Sequence, residues 1–273
     1  MLRTEQYEDK MFEFLTRVIP QQTDTINAEL DKMFARARDN DAIFRYLLVT
    51  IFNHFYGSQD IVRGLVVPEN VWVHIAENWY IPYAHWSTEE FTENLKSEVA
   101  KRKPNLIGNK APPMEMLMVL PPEHFRAAAM DTAIKYDYHA GRMVDDFRRD
   151  NEFRNSKFTV LYFWDFTCGH CRTGIQSLFN VWEENNNKGL QVITVQLVLT
   201  QRQDKGRWID FVNENNLFGQ GWFNAWSPYD HKFRDYYNTS VVPVMYLLDE
   251  NFDIILRNIV AEHVKDFFDN QVQ

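Results

Sequence analysis

The chain has 273 residues, 45% of them hydrophobic and 15% aromatic, enough to bury a sizeable core and to form two compact domains rather than one. Thirty-eight acidic against 29 basic side chains leave a net charge of −9. That balance argues against nucleic acid as a partner, because phosphate binding needs a basic footprint, and against docking on an anionic membrane surface. No stretch approaches the roughly 18 consecutive apolar residues of a transmembrane segment, and the opening Met1-Leu2-Arg3-Thr4-Glu5-Gln6 has no apolar core of a signal peptide.

The first hundred residues read as helices. Met11, Phe12, Leu15, Val18 and Ile19 form an apolar stripe that Pro20 ends. Ile26, Leu30, Met33, Phe34 and Ala37 form a second. In 41–57, Phe44, Leu47, Leu48, Ile51, Phe52 and Phe55 recur at helical spacing. A fourth helix starts at Pro68 with Trp72, Ile75, Ala76 and Trp79 inward. The fifth is expected to begin at Ser87 as N-cap with Glu90 three residues on, a capping box, with Trp86 stapled onto Phe91. It runs through Leu95 and Val99 to Lys101-Arg102-Lys103, a favourable charge at a helix C-terminus, and Pro104 stops it. Trp72, Trp79, Tyr80, Tyr83 and Trp86 suggest a peptide or glycan groove, but aromatics at helical spacing are more often core.

The texture changes at Asn105. Leu106–Pro113 is linker-like, and Met114–Leu120 reads as a strand. Residues 121–157 are mixed and charged, a loop or hairpin excursion with a short helix. A regular alternation follows. Phe158–Trp164 is a β-branched and aromatic run, as in a buried strand. Ile175, Leu178, Phe179 and Trp182 mark a helix, Asn185–Gly189 its stop, and Leu190–Leu199 a second strand. A helix through Trp208, Phe211 and Val212, a short strand at Trp222–Trp226 and a brief helix from Ser227-Pro228 come next. Val241–Leu248 and Asp253–Ile259 form a hairpin, and Val264, Phe267 and Phe268 mark a last helix. The order predicts a mixed central sheet flanked by helices, an α/β domain over 105–273, preceded by an all-α domain over 1–104.

The whole thiol inventory is Cys168 and Cys171, three apart. By simple counting, two cysteines placed at random would show that spacing roughly once in 140 times. Cys168 falls after a strand and at a helix start, where backbone N–H groups and the helix dipole stabilise an anion; thiolate is the nucleophile of disulfide exchange. Cys171, one turn on, lies close enough to attack a mixed disulfide. His170 between them can carry positive charge beside the thiolate, favouring the reduced form and making the couple more oxidising. A zinc half-site would need two further ligands, and the eight histidines show no paired spacing that supplies them. A peroxidase would use a single attacking cysteine in a Pro-Thr-Cys setting absent here. A redox-inert domain with incidental cysteines is the third alternative.

The segment Leu161-Tyr162-Phe163-Trp164-Asp165-Phe166-Thr167-Cys168-Gly169-His170-Cys171 resembles the active-site strand and helix of thioredoxin-like proteins. Ser240-Val241-Val242-Pro243-Val244-Met245-Tyr246-Leu247-Leu248-Asp249 is similar to the family's cis-proline loop, and Ile107–Pro112 to the opening of the TlpA-like subgroup, bacterial thiol–disulfide oxidoreductases outside the cytoplasm. The helical region resembles a domain fused to some TlpA-like proteins. The resemblance implies a thioredoxin fold, Cys168 as nucleophile, Cys171 as resolving thiol and Pro243 as a cis-proline facing them. Val242 would pair through its backbone with an extended substrate segment, and Pro243, Trp164 and Gly169 would also contact substrate. It implies protein thiols and disulfides as substrates, an unidentified redox partner, and a location in the periplasm or on a membrane anchor, its signal removed. It implies no metal or organic cofactor, the electrons residing in the Cys168–Cys171 pair.

Two departures stand out. Thioredoxin has a buried aspartate where this chain has Tyr162, and many TlpA-like proteins a glutamate where it has Gly174; either acid would take the resolving thiol's proton. Asp165 is the nearest remaining carboxylate in sequence, a candidate acceptor or a solvated loop aspartate. The CGHC motif is similar to that of protein disulfide isomerase, so a potential less reducing than thioredoxin's, about −270 mV, is expected. The reading from another class is a binding module: the fold as scaffold, the helical domain gripping a partner, the cysteines secondary.

Overall fold

The computed structural model describes residues 5–56, 68–119, 141–197, 202–227 and 231–271. The chain divides into two compact units, Met1–Leu106 and Ile107–Gln273.

The first unit is helical: α1 (Glu5–Glu13), α2 (Thr23–Ala37), α3 (Asp41–Phe55), α4 (Pro68–Ile75), a short α5 (Ile81–Tyr83) and α6 (Glu89–Arg102). Their apolar stripes meet in one core that holds Leu30, Phe34, Leu48, Ile51, Trp72 and Ile75 with almost no exposed surface. Trp72 and Tyr80 are buried in it, while Trp79, Tyr83 and Trp86 pack against it partly buried. Two stripes deviate from a 3.6-residue period, for one physical reason. After α1 the chain widens into a π turn over Phe14–Val18, with Ile19 N–H bonding the Phe14 carbonyl. The extra residue per turn rotates Val18 out of the expected stripe, and it is 67% exposed. A second π turn over Ala76–Tyr80 extends α4 and brings Tyr80 inward where Trp79 was expected; Trp79 instead donates to Asp31 Oδ1 at 2.5 Å.

The start of α6 is also shifted by one residue. Thr88, not Ser87, is the N-cap, its Oγ1 accepting the Phe91 N–H at 3.2 Å. Ser87 is engaged elsewhere, donating to Tyr80 Oη at 3.1 Å. The expected staple gives way to two separate contacts, Trp86 edge-on to Phe44 and Phe91 against Tyr80.

The second unit is a seven-stranded sheet in the order β2-β1-β5-β4-β3-β6-β7. Its strands are β1 (Met116–Val119), β2 (Gly141–Val144), β3 (Phe158–Trp164), β4 (Leu190–Gln196), β5 (Trp222–Trp226), β6 (Val244–Leu248) and β7 (Ile254–Arg257). Between them run α7 (Gly169–Asn185), α8 (Arg202–Glu214), α9 (Lys232–Tyr236) and finally α10 (Ala261–Gln271). β3, β4 and β5 are parallel; β1, β2, β6 and β7 add antiparallel edges. The stretch 121–157 thus contains a strand, β2, and its hairpin partner is β1; the connection through 120–140 lies outside the described residues, as do 198–200 and Pro228. The helix expected from Ser227-Pro228 is described only from Lys232.

β3 is buried on both sides. Val160, Tyr162 and Trp164 alternate onto the face covered by α7 and α10, Leu161 and Phe163 onto the other. Gly189 ends the turn after α7 at φ +91°, where a side chain would also press on Lys157. β6 begins at Val244 rather than Val241. A proline offers no N–H to the ladder, and Val241 stays outside the sheet, 77% exposed; the Val242–Pro243 peptide is cis.

Candidate active site

The loop after β3 is tied down before it reaches the first cysteine. Phe166 N–H donates to the buried Gln196 Oε1 at 3.0 Å. Asp165 Oδ1 accepts both the N–H and the hydroxyl of Thr167, each at 2.8 Å, and Cys168 N–H closes the turn on the Asp165 carbonyl at 3.0 Å. Cys168 is then the N-cap of α7, with φ −80° and ψ 122°, and its Sγ accepts the Cys171 N–H at 3.4 Å. A sulfur does here what a serine or aspartate oxygen does at other helix starts.

The two cysteines are free and approach each other to 3.1 Å. They differ in setting. Cys168 is partly exposed and Cys171 fully buried. A hydrogen bond from the Cys171 thiol, then the N–H of Cys171, lowers the Cys168 pKa; burial works against this, the N–H of His170 assists, and the Asp165 charge opposes. The Cys171 thiol is pushed up to about 12, chiefly by burial. One thiol is thus prepared to ionise and the other to keep its proton.

Gly169 and His170 are exposed in the first turn of α7. His170 contributes to the Cys168 thiolate through its backbone N–H. A side chain at Gly169 would meet open space, so the surface beside Cys168 is uncluttered. Asp165 holds the loop through Thr167, and its charge disfavours ionisation of both cysteines. Trp164 is not at the surface. It is fully buried, stacked on Tyr162 with ring centres 6.4 Å apart and tilted on Phe211 at 5.8 Å, so its side chain cannot touch a substrate. Its strand position puts it on the covered face with Val160 and Tyr162.

Pro243 is exposed and Val242 partly buried, packed against both faces of the core. β6 pairs antiparallel with β3 through Phe163 opposite Val244. Continuing that register sets Pro243 level with Trp164, at the end of the sheet from which Cys168 emerges. Sequence reasoning singled out Tyr162 only for what it replaces. In the structure its hydroxyl donates to the Cys171 carbonyl at 2.9 Å, beneath the buried cysteine. The alternation Val160, Tyr162, Trp164 carried that signal, since it points every second residue of β3 at α7. Among the described residues no group of three or more His, Cys, Asp or Glu side chains is placed to hold a metal ion, and no helix is long and apolar enough to cross a membrane.

No family model matches this chain, and no curated protein does. Solved structures do. A thioredoxin-like protein from Bacteroides caccae aligns over 98% of this chain and 83% of its own, at 17% identity and a TM-score of 0.59. A domain of a possible thiol-disulfide isomerase from Cytophaga hutchinsonii aligns over 60% of this chain and 90% of its own, at 28% identity and a TM-score of 0.42. The thioredoxin domain of a thiol-disulfide oxidoreductase from Bacteroides vulgatus aligns over 62% and 99%, at 17% identity and a TM-score of 0.44. The first of these spans the helical region as well as the sheet, and the chain shares its fold.

Proposed function

We propose that this thioredoxin-like chain is a dithiol–disulfide oxidoreductase that exchanges electrons with protein cysteines through Cys168 and Cys171. The observation that carries the reading is the asymmetry of the pair: an accessible thiol held as a helix N-cap, its thiolate stabilised, against a buried thiol that stays protonated.

In the reducing direction the Cys168 thiolate attacks one sulfur of a substrate disulfide. That S–S bond breaks, and the departing substrate thiolate takes a proton from solvent. The Cys171 thiol then gives up its proton and attacks Cys168 Sγ. The second substrate sulfur leaves as thiolate, and a Cys168–Cys171 disulfide remains. Two electrons have passed from the dithiol to the substrate; the reverse sequence oxidises a substrate dithiol. No metal or organic cofactor enters either direction. Gly169 is exposed next to Cys168, and Val242–Pro243 enters β6 at the end of the sheet from which Cys168 emerges, so a substrate segment would pair with the Val242 backbone.

Stabilising the Cys168 thiolate favours the reduced form, and the likeness of CGHC to the motif of protein disulfide isomerase supports a couple less reducing than thioredoxin's, near −270 mV. The likeness of Ile107–Pro112 to TlpA-like openings supports a location outside the cytoplasm, where protein disulfides persist. The test is Cys171→Ala. The variant should accumulate a mixed disulfide on Cys168 with a model protein disulfide, which dithiothreitol releases. No thiol-dependent adduct, together with no reduction or oxidation of that protein by the parent chain, would sink the proposal.

A further inference from the structure

We infer that Tyr162 is a positioning residue for the resolving cysteine and that Gly174 is the space its hydroxyl requires, the two acting as one unit. The inference rests on the dithiol reading above and deepens it.

Tyr162 sits in the middle of β3, 1% exposed, on the face that α7 covers. Its hydroxyl reaches across to the backbone of α7 and donates to the Cys171 carbonyl at 2.9 Å. Gly174 lies three residues on, on the same side of the helix as Cys171. A Cβ built there would stand 2.5 Å from Tyr162 Oη, yet 3.5 Å from Cζ and 3.9 Å from Cε2. Only the hydroxyl is in the way; the ring leaves room for a methyl group. The two places where this chain departs from its relatives are therefore matched to each other. Tyrosine at 162 demands glycine at 174.

The contact has a consequence for Cys168. Anchoring the Cys171 carbonyl fixes the backbone of the first turn of α7. That turn presents the Cys171 N–H to Cys168 Sγ at 3.4 Å and holds the thiol of Cys171 beside it. The phenol is a neutral donor throughout: burial first, then the charges at Cys171 and Cys168, push its pKa well above the ordinary value. It organises the dithiol without placing an acceptor for the Cys171 proton beneath it. Removal of the hydroxyl leaves the carbonyl with its helical partner alone, and the N-cap geometry at the sulfur loosens.

The experiment compares Tyr162→Phe, Gly174→Ala and the double variant with the parent chain, reading the pH profile of Cys168 alkylation alongside the thermal midpoint. Tyr162→Phe should move the alkylation midpoint up by about half a pH unit or more. Gly174→Ala should do the same, because its methyl group displaces the hydroxyl. The double variant should show no further shift, and its thermal midpoint should exceed that of Gly174→Ala alone. Should Gly174→Ala fail to fold, a folded double variant gives the same answer. An alkylation profile unmoved by Tyr162→Phe, with only the thermal midpoint lowered, would reduce Tyr162 to packing. Additive shifts would break the link to Gly174. Neither result depends on turnover: a parent chain that alkylates normally but exchanges no disulfide refutes the oxidoreductase reading and leaves this one standing.

Discussion

Cys168 Sγ accepts the backbone N–H of Cys171 at 3.4 Å, so the buried cysteine lowers the pKa of the accessible one. The two thiols share one helical turn; hydrogen bonds within it lower the pKa of Cys168, while burial raises that of Cys171.

That difference is readable by alkylation. Iodoacetamide should label Cys168 with a midpoint below the ordinary thiol value of 9.0, and leave Cys171 unlabelled until the pH nears about 12. The stability consequence has opposite signs for the two. The depressed Cys168 pKa stabilises the reduced fold above pH 9.0, an effect lost as pH falls through its folded value. The raised Cys171 pKa stabilises it below pH 9.0, an effect lost as pH climbs from there to about 12. Reduced protein should therefore lose thermal stability over that alkaline window, and Cys171→Ala should lose less, with Tyr162 and Tyr237 still contributing above about pH 10.

Arg148 guards a buried carboxylate. Asp146 has a side chain 2% exposed and takes Arg148 Nη2 at 2.8 Å and Nε at 3.0 Å, while Arg148 Nη1 reaches the Ala111 carbonyl. Burial pushes the Asp146 carboxyl up, and the Arg148 hydrogen bonds more than offset this, holding it below the ordinary carboxylate range. Its contribution is thus present above about pH 4 and lost as pH falls further. Arg148→Met should cost toward the lower end of about 3–5 kcal/mol at pH 7, since Arg149 still reaches Asp146, and the cost should shrink toward pH 4 and below. Denaturant melts at pH 7 and pH 4 check both, and Asp146→Asn in the same background should recover part of the loss.

The cap of α6 can be tested by single replacements. Thr88→Ala should destabilise the helical unit by about 1 kcal/mol through loss of the bond to Phe91 N–H. Ser87→Ala should cost less, because its hydroxyl bonds Tyr80 Oη and no helix N–H loses its partner. Equal losses in urea melts would contradict the assigned register.

Much of this fold is legible in its sequence where one pattern dominates. β3 at Phe158–Trp164 and β5 at Trp222–Trp226 fall on the expected residues, because β-branched and aromatic runs bounded by polar turns have a single comfortable conformation. The α6 start slips by one because Ser87 and Thr88 are both good caps; the choice depends on Tyr80, distant from the local pattern. The π turns at Phe14–Val18 and Ala76–Tyr80 break the period that stripe counting assumes. The resemblance implies substrate contact for Trp164, yet Trp164 ends a run that reads as a buried strand, and the structure buries it. The cysteines and the proline loop are visible as motifs. The hydroxyl of Tyr162 in the space of Gly174 is a meeting of strand and helix that no linear pattern records.

The central claim is tested most directly by a glutathione redox titration of the Cys168–Cys171 couple, repeated across pH. It should give one two-electron transition, with a midpoint at pH 7 less negative than about −270 mV. With one thiolate and one thiol in the reduced form, the midpoint should fall by about 30 mV per pH unit above the Cys168 pKa and by about 59 mV below it. The absence of any transition, or a midpoint at or below about −270 mV, would contradict the account.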